Sequence, residues 1–191
     1  MMLPLQLHLT LPVWVHDFSF DATYPGDEAK VALAIALSRQ NIEARSGGPF
    51  GAAVFGPDDR LVAIGVNRVL PQNCSVAHAE MMAFMLAQQR LQGARLNRND
   101  DGSRWGAVTL ATSSQPCCQC YGASIWAGID RMLIGARSGD VESLTEFDEG
   151  PLPADWIGAL RERGIEVVAD VLREDARAVL RDYGLSGGPR Y

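Results

Sequence analysis

Apolar residues occupy every second position at the start of the chain, Leu3, Leu5, Leu7, Leu9, Leu11, Val13 and Val15, which is the period of a strand with one covered face. Pro4 and Pro12 bar it from the middle of a sheet. The pattern predicts an extended arm over residues 1–26, lying on a sheet edge or on a partner subunit. From Asp27 to about Arg45 the period lengthens to that of a helix, with acidic residues in the first turn, Val31, Ile35 and Ile42 at helical spacing, and Ser46-Gly47-Gly48 as a stop. Two apolar runs around Pro57-Asp58-Asp59 predict a hairpin between Gly51 and Asn67. Ala77 to Leu91 reads as a helix, residues 93–106 as a polar loop, Ala107 to Ser113 as a buried strand, Cys118 to Gly128 as a helix and Arg131 to Ala136 as another strand. Residues 137–155 are rich in turn formers. A helix near Trp156 to Arg163, a strand from Gly164 to Asp170 and a last helix from Glu174 to Tyr183 complete the chain. Strands alternating with helices predict an α/β domain over residues 27–191, with helices packed on a mixed sheet.

Composition narrows the class. The 191 residues, 47% hydrophobic and 21% charged, suit one compact domain with a real core. Seventeen basic against twenty-three acidic residues leave a net charge of −6, so the general attraction that phosphate backbones need is missing and no nucleic-acid partner is expected. No stretch approaches the ~18 uninterrupted apolar residues of a membrane span. The first lysine is Lys30, so the start lacks the basic segment of a secretion signal, and a cytoplasmic protein is expected. In a reducing compartment clustered cysteines are metal ligands or redox groups rather than disulfides.

Three of the four cysteines fall in "QPCCQC", Cys117, Cys118 and Cys120. Cys117 and Cys120 form a C-x-x-C pair at the expected start of a helix, where partial positive charge favours thiolates. A second set, "VAHAE", places His78 and Glu80 at the start of another helix, 39 positions before Cys117. His78 with Cys117 and Cys120 makes three ligands for Zn²⁺, which leaves a position for water as in a catalytic site. Glu80 is then placed to exchange protons with that water without ligating the metal. H-x-E followed by P-C-x-x-C is the signature of zinc-dependent deaminases. The rival readings are a redox C-x-x-C, for which His78 and Glu80 have no use, and a structural zinc site, which would take a fourth ligand from Cys118 or Cys74.

Beyond the metal motif, "GGPFGAAVF" (Gly47 to Phe55), "GVNRV" (Gly65 to Val69), "CSVAHAE" (Cys74 to Glu80), "QPCCQCYGASIWAG" (Gln115 to Gly128) and "FDEGP" (Phe147 to Pro151) resemble the cytidine-deaminase-like superfamily, and within it the guanine deaminase branch. The resemblance implies a three-layer α/β/α fold with a central mixed sheet, a homodimer, and hydrolytic removal of an exocyclic amine from a free base, with guanine as substrate and Zn²⁺ as cofactor. It implies that a zinc-activated water attacks with Glu80 as proton shuttle and Glu149 as a second one. Asn67 would hydrogen-bond the base, Phe50 would pack on it, and the N–H of Ala79 would donate to it. Gln115 and Gln119 depart from the Glu and Met common in the family. The short end "GLSGGPRY" leaves Tyr191 either as a cap over the pocket or as a frayed terminus. A tRNA adenosine deaminase, a deaminase of cytosine, nucleosides or amino-triazines, and a non-catalytic zinc-binding interaction domain are the competing functions.

Overall fold

Strand β1 (Gly51–Phe55) is buried at every position, as a strand must be when both faces of its sheet are covered. The computed structural model describes Leu3 and residues 5–190. After α1 (Gly26–Glu43), β1 turns through Pro57–Asp59 into β2 (Leu61–Val66), and a short α2 (Val69–Gln72) leads to α3 (Ala79–Leu91). Next come β3 (Thr109–Ser114), α4 (Cys118–Ala127), β4 (Arg131–Ala136), α5 (Ser138–Thr145), α6 (Trp156–Arg161), β5 (Glu166–Val168) and α7 (Arg173–Leu185). The five strands form one mixed sheet in the order β2-β1-β3-β4-β5. β1 runs antiparallel to β2 and β3, whereas β3, β4 and β5 are parallel.

Each sheet face carries its own core. On one side Val31, Leu33, Ile35 and Leu37 of α1 pack with Val141 of α5 and Val179 and Leu180 of α7 over Phe55, Ala111 and Leu133. On the other, Ala83, Phe84 and Ala87 of α3, with Tyr121 and Ile125 of α4 and Leu160 of α6, cover Val54, Leu110, Met132 and Ile134. Alternate residues of each strand thus serve opposite helix layers, and the three-layer arrangement expected from the resemblance is present. Among the described residues no helix is long and apolar enough to cross a membrane.

One glycine brings the second layer close to the sheet. A Cβ on Gly65 would stand 2.0 Å from the carbonyl oxygen of Ala79 and 2.5 Å from the nitrogen of Ala83. Only glycine lets the first turn of α3 lie this near β2, and that turn carries His78 and Glu80.

The amino-terminal segment differs from expectation. The alternating leucines do not form a strand: Leu3, Leu5 and Leu7 are exposed, and Val13–His16 is a 3₁₀ turn. Pro12 is the residue before that turn, and from it the chain winds so that Leu11, Trp14, Val15, Phe18, Phe20 and Tyr24 pack against the α1 side of the core. The sheet edge is met only at the end of the segment, where Leu61 N–H donates to Ala22 O (3.1 Å) and Tyr24 N–H to Asp59 O (2.9 Å). Within the span read as turn-rich, Ser138–Thr145 is helical, capped by the Asp140 carboxylate, which accepts from Arg137 N–H at 2.9 Å. Asp140 and Thr145 are polar yet buried, so the apolar period that would mark the helix is absent.

Candidate active site

His78 and Cys117 are the residues immediately before the first turns of α3 and α4, so two helix starts converge from separate parts of the chain. The Cys117 carbonyl accepts from Tyr121 N–H at 2.8 Å, and the His78 carbonyl from Met82 N–H at 2.9 Å. Pro116, which cannot donate a main-chain hydrogen bond, precedes the α4 start. Cys120 lies one turn further on, fully buried. Its sulfur is 3.7 Å from His78 Nδ1, and that of Cys117 is 3.4 Å from the same nitrogen. One ligand atom from each of the three residues lies within 4.8 Å of the others.

Two sulfurs and an imidazole nitrogen are the donor set that zinc favours, so the residues fit the metal that the motif implies. The electrostatics agree with that use. The hydrogen bond from Cys120, followed by that of His78, pulls the Cys117 thiol well below its usual range. The same bond, with burial, pushes Cys120 up. Burial alone would lower His78, but the bond and charge of Cys117 and the charge of Glu80 outweigh it and raise the imidazole.

Glu80, in the first turn of α3, is buried beside this trio. Oε2 is 3.3 Å from Cys120 Sγ, and Oε1 is 3.4 Å from Thr112 Oγ1 of β3. Burial, then the neighbouring Cys117 charge, pushes its carboxyl up to about 6, against a smaller pull from His78. A carboxyl that titrates near neutrality can both take and return a proton.

A cavity of about 250 Å³ opens over these groups, lined by Phe50, Asn67, His78, Ala79, Glu80, Cys117 and Glu149, together with Ser75, Gln115, Phe147 and Asp148. All of the site residues expected from the sequence line it except Cys120, which is fully buried against Glu80. Glu149 is buried. Desolvation, with the charges of Cys117 and Glu80, lifts it to about 9, so the loop acid that sequence alone would leave in solvent is instead buried, lines the cavity and is held well above the usual carboxylate range. Its segment is fixed by Cys118 N–H donating to Glu149 O at 3.0 Å. Phe50 meets Phe147 at 5.4 Å between ring centroids, and Phe147 stacks on Tyr183 at 6.0 Å. Asn67 Oδ1 accepts from Gly48 N–H (3.4 Å) and Val69 N–H (3.3 Å), which sets the plane of its amide.

Phe147 and Thr112 were not singled out by sequence reasoning. Phe147 stands beside Glu149 in the quoted "FDEGP", whereas nothing local marks Thr112, a strand residue whose role comes from facing Glu80. The two unexplained glutamines separate. Gln115 lines the cavity and accepts from Ser138 N–H at the start of α5 (3.4 Å), whereas Gln119 reaches Val76 O (3.5 Å). Cys118 is exposed, its sulfur turned toward Gly150. Tyr191 lies outside the described residues.

Comparison with known proteins places this geometry. The structure is similar to that of guanine deaminase from Nitrosomonas europaea, with a TM-score of 0.87 and 42% identity over 97% of this chain and 100% of the other. It is also similar to NE0047 solved with 2,6-diaminopurine, with a TM-score of 0.88 and 44% identity over 97% and 96%. Among curated relatives, a tRNA-specific adenosine deaminase from Agrobacterium fabrum is 33% identical over 70% of this chain and 89% of its own length. The chain spans only 29% of another, tRNA(Ile)-lysidine synthase from Deinococcus deserti, to which it is 28% identical over 178 residues. The model of the cytidine and deoxycytidylate deaminase zinc-binding region matches residues 26–136. With more than half of its length so matched, and with His78, Cys117 and Cys120 gathered as the fold requires, the chain belongs to the cytidine and deoxycytidylate deaminase zinc-binding family.

Proposed function

We propose that the protein hydrolyses the exocyclic amine of a free purine base, converting guanine and water to xanthine and ammonia. The observation that carries this reading is what gathers at this cavity: a zinc-type donor set, two buried carboxyls with raised pKa values, an aromatic ring and an oriented amide. At about 250 Å³ it lies just below the ~300–1,000 Å³ usual for drug-sized ligands, a size for a small ring system. The similarity to a guanine deaminase and to a diaminopurine complex supports a purine as its occupant.

His78, Cys117 and Cys120 would hold the zinc, which when bound would supply an activated water as nucleophile. Glu80 accepts the proton from that water at its carboxylate and delivers it to the ring nitrogen next to the amine-bearing carbon. As the new C–O bond forms and the C–N bond breaks, the departing amine needs a proton to leave as ammonia. Glu149 donates it, and the second proton of the attacking water, released as the C–OH becomes a carbonyl, passes through Glu80 to restore Glu149. Phe50 supplies the flat apolar wall, Asn67 reads the base edge, and Ala79 N–H, at the positive end of α3, donates to the base. Residues 27–191 act as one deaminase domain with 1–26 as its arm, in a cytoplasmic homodimer.

An ammonia-release screen over guanine, adenine, cytosine, their nucleosides, amino-triazines and a tRNA anticodon arm, run with a zinc determination, tests the assignment. Guanine is expected to be the best substrate at one zinc per chain. Turnover confined to a nucleoside or to the RNA would overturn the substrate and keep the chemistry. Bound zinc with no ammonia from any of them would leave a binding domain.

A further inference from the structure

The loop between α1 and β1 and the end of β2 approach each other so closely that a Cβ on Gly47 would stand 1.9 Å from Asn67 O and 2.7 Å from Asn41 Nδ2. This contact joins the two walls of the cavity that face a base, the loop carrying Phe50 and the strand end carrying Asn67. Phe50 O accepts from Asn67 N–H at 3.1 Å across the same junction.

Asn41 closes it from behind. The side chain is fully buried in the last turns of α1. Its Nδ2 donates to Gly48 O (2.8 Å) and to Asn67 O (3.1 Å), and its Oδ1 accepts from Ser46 Oγ (2.7 Å). One amide therefore ties the loop and the strand end together with both N–H donors and its oxygen engaged, the condition in which a buried polar network fixes a single geometry. Ser46 carries the tie outward: its hydroxyl accepts from Trp14 Nε1 at 2.8 Å. Arg68, next to Asn67, donates to Ser46 O and, through Nε, to Thr10 O (3.1 Å). The amino-terminal segment is thus joined through Ser46 and Asn41 to the backbone of Asn67 and to Gly48, whose N–H holds the Asn67 amide oxygen.

We propose that Asn41 and Ser46 are positioning residues for base recognition, acting through Asn67, and that Trp14 makes the amino-terminal segment part of this support. The proposal rests on the reading that Asn67 contacts the base. None of the three lines the cavity. Their effect falls on binding of the base and leaves the metal and the proton-transferring carboxyls as they are.

Asn41→Ala strips a fully buried amide of every bond and is liable to misfold, so the partly buried Ser46 carries the test. Steady-state kinetics with guanine, zinc content and thermal unfolding are measured for Ser46→Ala, Ser46→Thr, Trp14→Phe, Asn67→Ala and the Ser46→Ala/Asn67→Ala pair. Ser46→Ala is expected to raise KM roughly 3–10-fold at unchanged kcat and zinc content, and to add nothing once Asn67 is gone. Ser46→Thr, which keeps the hydroxyl, restores the wild-type KM. Trp14→Phe, which keeps the ring and loses only the N–H, shifts KM in the same direction by less. If Ser46→Ala lowers the melting temperature and leaves KM alone, or if its effect multiplies in full with that of Asn67→Ala, the proposal is overturned while Asn67 keeps its role. An Asn67→Ala enzyme with unchanged KM removes the base contact, and the proposal with it.

Discussion

In the proposed reaction Glu80 must be acidic enough to shed a proton and basic enough to take one. Its burial supplies both, because desolvation lifts the carboxyl to about 6 while the neighbouring His78 limits the rise. Replacing it with alanine removes the proton carrier and none of the three metal-facing atoms. Glu80→Ala should therefore retain zinc and lose roughly 10²–10⁴-fold or more in turnover, read by metal analysis beside ammonia release; normal turnover would end the mechanism. Glu149→Gln keeps the shape of the side chain and loses its proton. It should slow guanine turnover without changing zinc content or the melting temperature, and wild-type rates in this variant would return Glu149 to an ordinary loop residue. These two acids also mark how much of the site can be read from residues alone. His78, Glu80, Cys117 and Cys120 announce themselves because their spacing follows from helix starts, a local property. Glu149 is surrounded in sequence by Glu146, Asp148 and other acids, and only the folded chain distinguishes the buried one. Thr112 and Phe147 matter through what they face, which no local pattern records.

At the level of elements, those with a clear apolar period were legible: the hairpin, α3, β3, β4 and α7 fall close to where the pattern puts them. α5 was not, and the reason is Asp140. This carboxylate lies buried under the helix, accepting from Arg173 Nε at 2.7 Å and from Arg177 as well as capping α5. A helix held by a buried ion pair shows no apolar stripe. Arg173 first, then the Arg137 N–H and the charge of Arg177, hold Asp140 down to about 2, below its ordinary 3.8. Because the folded-state value is depressed, the stabilisation is complete above the unfolded value and is lost as pH falls from about 4 toward 2. Its full size is about 2 kcal/mol. Asp140→Asn should lower stability by about that much at neutral pH and flatten the acid arm of a denaturant-derived stability profile; an unchanged arm would show that the pair contributes nothing. The contact between β2 and α3 makes a second prediction. Gly65→Ala places a methyl group against backbone atoms of Ala79 and Ala83, which cannot move aside as a flexible side chain would. A loss of about 1–3 kcal/mol is expected, together with weaker zinc retention, since the displaced turn bears His78. Full zinc occupancy in a destabilised variant would separate the packing from the site.

For the molecule as a whole, layer order and sheet direction follow from alternation of strands and helices, whereas the amino-terminal segment shows where alternation misleads. Leu3, Leu5 and Leu7 keep a strand's period with no strand beside them, and the segment earns its place through single anchors such as Trp14 and Tyr24. The two helix starts that face each other have a consequence for motion. Each begins with a residue whose side chain turns toward the same point, so a metal held there would act as a rivet between two helices of one layer that are far apart in sequence. Backbone amides in the opening turns of α3 and α4 should exchange with deuterium markedly faster after chelation than the amides of β3 or of α7, which the rivet does not reach. The same joint that makes the chemistry then sets where this fold first comes undone.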